Sequence, residues 1–227
     1  RQSQIYARDG VELARSTLAD WVGQASALLK PLVDAIRRHV VGGGTLHADD
    51  TPIPVLDPGR GRTKTGRLWT YVRDEQPWQG QAPPAVWFAY TPDRQGRHPQ
   101  HHLSPFSGVV HADGFAGFNA LYTNGCREAA CMAHVRRKFY DIHVAKASPL
   151  AICALDFIRQ LYQVEEPIRV TPPDERQRRR QKVAVPILAA FKDWLESTLM
   201  RVSQKSDIAK AIRYALSRWA ALTRYCE

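Results

Sequence analysis

The sequence predicts an α/β fold, in which a mixed five-stranded sheet follows a helical N-terminal segment and precedes a large all-helical part. Three observations carry this. Apolar residues recur at helical period over residues 1 to 44 and again over 136 to 227, whereas residues 45 to 135 break into short alternating runs. "GFNALYTNG" has the form of a short crossover helix, which makes the strands on either side of it parallel. The tripeptide His-Ala-Asp also occurs twice, as His47-Ala48-Asp49 and His111-Ala112-Asp113, each time after apolar residues.

Composition narrows the class. With 227 residues and 44% hydrophobic content, the chain can bury a core as one domain or a domain with an appendage. Lys and Arg number 32 against 22 Asp and Glu, a net charge of +10. A chain this basic suits a polyanionic partner, nucleic acid above all; the plainer reading is a basic solvated surface. Cys126, Cys131, Cys153 and Cys226 show no paired spacing, so they read as reduced thiols of a cytoplasmic protein, not as a disulfide framework or zinc ribbon. No apolar run is long enough to span a bilayer, and no signal peptide is seen. The chain opens at Arg1 inside a helical pattern, so a piece of a longer protein is expected.

The elements follow in order. In "RDGVELARSTLADWVG", Gly10 marks a turn, and Ser16 or Thr17 caps a short amphipathic helix. That is the shape of the second half of a helix-turn-helix, or of an ordinary helical hairpin. A second stripe, Leu28 to Val40, ends at "VVGGGT". The expected strands are "TLHAD", "RLWTYVRD" (67 to 74), "AVWFAYTP" (85 to 92), "GVVHAD" (108 to 113) and "EAACMAHV" (128 to 135). Helices fill the remainder, with a polar break at "TPPDERQRRRQK" (171 to 182).

Three successive strands, a fourth across, then helix and strand is the order of a ribonuclease-H-like fold. In that fold an acid on the central first strand sits beside one at the end of the fourth, and together they hold divalent metal. Alternation puts Thr45, His47 and Asp49 on one face, and likewise Val109, His111 and Asp113. Asp50 points the other way or begins a turn at Thr51-Pro52, serving as a turn residue or as a group backing the ligands. In-line attack on a phosphodiester builds charge on entering and leaving oxygens, and Mg²⁺ held by carboxylates offsets it. A strand-ending Asp before Gly or Thr-Pro is also ordinary turn chemistry.

"LHADDTPIPVLDPGRGRTKTGRLWTYVRD", "HADGFAGFNALY", "CMAHVRRKF" and the lead-in "QIYARDGVELARSTLADWVG" closely resemble the insertion-sequence sixty-six family of bacterial transposases. The resemblance implies a DDE catalytic triad, Mg²⁺ or Mn²⁺ as cofactor, and cleavage and strand transfer at the element's own DNA ends. It further implies a homo-oligomer working on double-stranded DNA at the nucleoid. Asp49 matches the family's first catalytic acid and Asp113 its second. Asp50 stands where relatives often have Glu, and the third acid belongs to a later "IDNN…ER"-like stretch, expected beyond Glu227. The chain thus reads as three parts: a helix-turn-helix-like segment (1–44), a catalytic core (45–135) and a helical insertion (136–227). A non-catalytic DNA-binding fragment and a nuclease without strand transfer are the alternatives.

Further candidates surround this pair. Arg60, Arg62, Lys64 and Arg67 lie in "PGRGRTKTGR", expected as a hairpin tip that meets phosphates. Cys131-Met-Ala-His134 resembles a Cys-x-x-His found after the fifth strand in several transposase families; Cys131 is assigned to packing and His134 to the phosphate. Arg136, Arg137 and Lys138 track DNA backbone in this reading. His101-His102 is read as a solvated loop, and Trp194 and Trp219 as core.

Overall fold

A computed structural model describes all 227 residues. Five strands form one sheet: β1 (Thr45–Asp57), β2 (Arg62–Arg73), β3 (Ala85–Thr91), β4 (Val109–Ala112) and β5 (Arg127–Ala130), in the order β3-β2-β1-β4-β5. β1 runs antiparallel to β2, and β2 to β3, while β4 is parallel to both β1 and β5. The crossover between β4 and β5 carries the short helix α4 (Asn119–Thr123), after α3 (Arg97–His102) has linked β3 to β4. The mixed sheet and the parallel β4–β5 pair agree with the sequence.

Alternation sets the faces. Leu46, Ala48, Trp69, Tyr71 and Val110 are buried on one side of the sheet, where Val40, Leu103 and Phe118 complete the core. His47 and Asp49 turn to the other side. That side is uncovered over β3, where Phe88 and Tyr90 are exposed, and becomes a cavity over β1 and β4.

β1 is much longer than "TLHAD", and no turn begins at Thr51-Pro52. Pairing with β2 continues from His47↔Val72 to Asp57↔Arg62. β4 pairs with β1 only as far as Ala48, so beyond that point one edge of β1 is free. Pro52 and Pro54 are two apart, and alternate residues of an antiparallel pair turn their N–H away from the partner. Both therefore lack their donor on the same edge of β1.

Other boundaries also moved. β5 stops at Ala130, and the expected extension to Val135 is instead the start of α5 (Met132–Lys146). Alanines, Cys131 and Met132 supply no period there, and the buried Val135 and Phe139 sit at helical spacing. At the N-terminus, α1 (Gln2–Arg8) and α2 (Arg15–Val41) flank a turn in which Gly10 has φ +78°. The second helix is not short. It runs 27 residues with Ala14 at its N-cap and no side-chain cap from Ser16 or Thr17. Trp21, Val22, Leu28, Leu29 and Leu32 are exposed along it, and only Val40 and Val41 are buried.

The C-terminal part is helical, as expected: α6 (Pro149–Glu165), α7 (Pro173–Arg179), α8 (Val185–Arg201), α9 (Asp207–Leu216) and α10 (Trp219–Thr223) join α5. Most of the expected polar break is α7, opened by the Pro172-Pro173 pair and continuing through a wide turn into α8. Val135, Phe139, Ile158, Phe191, Leu195 and Ile212 form a second core, against which Trp194 and Trp219 pack. His102 corrects the reading of His101-His102 as solvated. It ends α3, its Nδ1 lies 2.9 Å from the Tyr71 hydroxyl, and its ring packs edge-on to Trp69 and Trp87. Burial pushes its pKa down to about 4, with help from nearby His98, His101 and Arg37.

Candidate active site

The parallel ladder places the two tripeptides side by side. His47 is opposite His111 and Ala48 opposite Ala112, so Asp49 and Asp113 leave the ends of adjacent strands together. Both line a cavity of about 180 Å³, with His47, His111, Cys131 and His134 among its walls.

The two carboxylates are held differently. Asp49 is exposed, and its Oδ1 accepts a 2.9 Å hydrogen bond from the backbone N–H of Asp50. Asp113 Oδ1 accepts from the backbone N–H of Phe115 at 2.9 Å, and its Oδ2 accepts from Arg94 Nη2 at 3.2 Å.

Asp50 is not a turn residue. Its side chain is 1% exposed and lies on the opposite face from Asp49. Arg94 donates to Oδ1 through Nε at 2.9 Å, with Nη2 at 2.7 Å from the same oxygen, and Arg67 Nη1 donates to Oδ2 at 3.0 Å. A buried carboxylate needs such partners, because charge leaves water only when paired and hydrogen-bonded.

This corrects the placement of Arg67. It lies within β2, past Gly66, bound to Asp50, and not at the hairpin tip. Arg60 is at the tip, 3.5 Å from Asp57, and Arg62 and Lys64 are exposed at the start of β2. On the other flank, Arg136, Arg137 and Lys138 are exposed on α5. Lys138 Nζ sits 4.4 Å from the centre of the Tyr214 ring, and the Arg136 guanidinium 5.3 Å from that of Tyr140.

His47 and His111 meet through their Nδ1 atoms at 3.0 Å, one ring donating and the other accepting. Burial depresses both. His111 falls to about 4, with the neighbouring His47 and His134 adding to the effect, while for His47 the charge of Asp74 works against the shift. Cys131 caps α5, and His134 follows in its first turn with a buried Nδ1 that has no partner in the chain.

The donor set fits a divalent ion in kind but not in number. Carboxylate oxygens suit Mg²⁺, yet no group of three or more His, Cys, Asp and Glu side chains is placed to hold a metal ion. Arg94 meanwhile supplies positive charge at Asp113.

Two features of the site escaped sequence reading. Arg94 is 44 residues from Asp50 and carries no spacing signal. The His47–His111 pair was within reach, since pairing Asp49 with Asp113 in parallel register sets these two histidines opposite each other.

Comparison with known proteins agrees with the sequence resemblance. No helix is long and apolar enough to cross a membrane. Uncharacterized protein y4jD of Sinorhizobium fredii (strain NBRC 101917 / NGR234) is 35% identical over 234 residues, covering 100% of this chain and 46% of the relative. Uncharacterized protein y4qI of the same strain is 38% identical over 233 residues, covering 99% of this chain and 43% of the relative. The chain thus spans less than half the length of these curated relatives. The family model described as "Transposase IS66 family" matches residues 1–227, and the chain belongs to that family.

Proposed function

We propose that this chain carries the catalytic core of a DDE transposase with a ribonuclease-H-like sheet, acting on the DNA ends of an insertion sequence. The observation that supports it best is the register: Asp49 and Asp113 follow directly on the paired Ala48 and Ala112 at the ends of adjacent parallel strands. In this reading they are two of the ligands of a Mg²⁺ or Mn²⁺ ion, and the third acid is not among the residues lining the cavity. Bound there, the ion supplies charge stabilisation at the entering and leaving oxygens of the phosphodiester.

The chain's own residues do the remaining work. Arg60, Arg62 and Lys64 on one flank, and Arg136, Arg137 and Lys138 on the other, hold backbone phosphates of a duplex and set its register over the cavity. His134, in the first turn of α5 and lining the cavity, approaches a phosphate oxygen. Residues 45–135 form the catalytic core in this scheme and 136–227 a helical insertion, with the active species a homo-oligomer on DNA.

The missing third donor favours a second reading, a DNA-binding piece without chemistry of its own. Metal-dependent thermal unfolding separates the two. Mn²⁺ at about ten times its Kd should stabilise the unaltered chain by about 1.4 kcal/mol. Asp49→Asn and Asp113→Asn should each abolish that gain. An equal gain in both variants would move the metal elsewhere and favour the binding-only reading. Robust strand transfer by these 227 residues alone would show that the third acid lies within them.

A further inference from the structure

We propose that Arg94 is a built-in counter-ion of the acid cavity, shared between Asp50 and Asp113, which a DNA phosphodiester draws off Asp113 so that a divalent ion can bind. The proposal rests on the reading of Asp49 and Asp113 as metal ligands.

The geometry is unequal in a telling way. Arg94 grips Asp50 through two nitrogens, at 2.9 and 2.7 Å, but reaches Asp113 through one, at 3.2 Å. Asp50 has both oxygens committed, Oδ1 to Arg94 and Oδ2 to Arg67, and its side chain is almost wholly buried. It is an anchor for arginines, not a donor for metal. The guanidinium also lies over the Phe115 ring at 4.3 Å, which fixes its plane. Its third nitrogen, Nη1, makes no hydrogen bond within the chain, and the side chain is 36% exposed. The same Nη2 serves both acids, 2.7 Å from buried Asp50 and 3.2 Å from Asp113, and Asp113 lines the cavity.

Two physical consequences follow. A guanidinium hydrogen-bonded to a carboxylate lowers the affinity of that carboxylate for a second cation, because both draw on the same charge. A planar fork with a free nitrogen is well suited to a phosphate, so DNA entering the cavity competes with Asp113 for Arg94. Loss of the weaker contact leaves the Asp50 anchor intact. DNA and metal then favour each other, and linkage makes the coupling equal in both directions. Arg94 also lessens the repulsion between Asp50 and Asp113, the two acids it bridges.

The test measures Mn²⁺ binding by the electron paramagnetic resonance signal of free Mn²⁺, with and without a short DNA duplex, after subtracting Mn²⁺ bound by duplex alone. Unaltered protein should bind weakly and tighten when duplex is added. Arg94→Gln should bind Mn²⁺ roughly tenfold tighter without DNA, and duplex should then add little. Arg94→Lys keeps a cation against buried Asp50 but offers one nitrogen for two acids. It should also bind Mn²⁺ more tightly, and it covers the case in which Arg94→Gln unfolds. If both variants bind Mn²⁺ no better than unaltered protein, Arg94 merely orients Asp113 and the proposal is overturned. If Asp113→Asn leaves Mn²⁺ binding unchanged, the metal-ligand reading itself fails, and the counter-ion role goes with it.

Discussion

His47-Ala48-Asp49 and His111-Ala112-Asp113 share their residues and their register, yet the two aspartates end in different surroundings. Ala48 and Ala112 are both buried, at 5% and 3% exposure, and the two histidines meet across the ladder. The difference begins one residue later. After Asp49 the chain stays extended to Asp57, so the carboxylate finds only the neighbouring N–H of Asp50. After Asp113 the chain folds back, and Phe115 N–H closes on the carboxylate in an aspartate turn. Gly114 lets Tyr214 and Arg218 pack against this turn. A Cβ there would stand 2.6 Å from Tyr214 Cε2 and 2.8 Å from Arg218 Nε, and Arg218 Nη2 donates to the Gly114 carbonyl at 3.0 Å. Pairing sets where each carboxylate stands, and the following residues set how firmly it is held. Asp113 is fixed through both oxygens, Asp49 through one.

The strongest way to break this comparison is through the aspartate that only one tripeptide has beside it. Asp50→Ala leaves the partly exposed Arg67 and Arg94 without their shared buried partner, and loss of these charged hydrogen bonds should cost about 2 kcal/mol in urea unfolding. Asp49→Ala removes an exposed side chain with one local bond, and should change stability by no more than about 0.5 kcal/mol. Equal costs for the two would mean that the arginine network does not form.

What the sequence made legible was whatever repeats locally. Alternation in β1, β2 and β4 gave the faces, the doubled tripeptide gave the register, and the crossover around α4 gave the parallel pair. Long-range pairing was not legible. Arg94 follows Pro92-Asp93 in a polar stretch and reaches back to Asp50 only because β3 and β1 share a sheet, with β2 between them. Thr51-Pro52 read as a turn because continued pairing with β2 is a property of the sheet, not of the segment. His102 read as solvated because its partners, Tyr71, Trp69 and Trp87, come from β2 and β3.

The shared part of the tripeptides makes a smaller prediction, about acid. His47, His111 and His102 all have pKa values lowered by burial, so the folded chain takes up protons less readily than the unfolded chain. Stability is therefore undiminished above the ordinary value of 6.5 and falls as pH drops from 6.5 towards about 4. Protonating both rings would also set two N–H groups against each other across the 3.0 Å contact. The melting temperature should decline through this window, and His111→Asn should decline less steeply than the unaltered chain. An identical decline would place the acid sensitivity outside the pair.

The smallest effect concerns the basic residues on the flank nearer Asp49. β1 and β2 continue past the sheet core as a two-stranded ribbon ending at Gly59 and Gly61, both with positive φ, and Arg60, Arg62 and Lys64 lie at or near its tip. Nothing comparable follows Asp113, where the chain turns back through Gly114 into the helical crossover. If the ribbon lies along a duplex, each cation it places on a phosphate releases one condensed counterion. Total release of roughly five would make the affinity fall steeply with salt. Replacing Arg60, Arg62 and Lys64 together by Ala should reduce the slope of log K against log salt by about 2 to 3, with little change in melting temperature because all three side chains are exposed. Arg67→Ala, one strand position beyond Gly66, should behave in the opposite way: little change in the salt slope and a clear loss of stability, because its guanidinium is already spent on Asp50. An unchanged slope in the triple variant would take the ribbon off the DNA path and leave Arg136, Arg137 and Lys138 as the flank that carries the duplex.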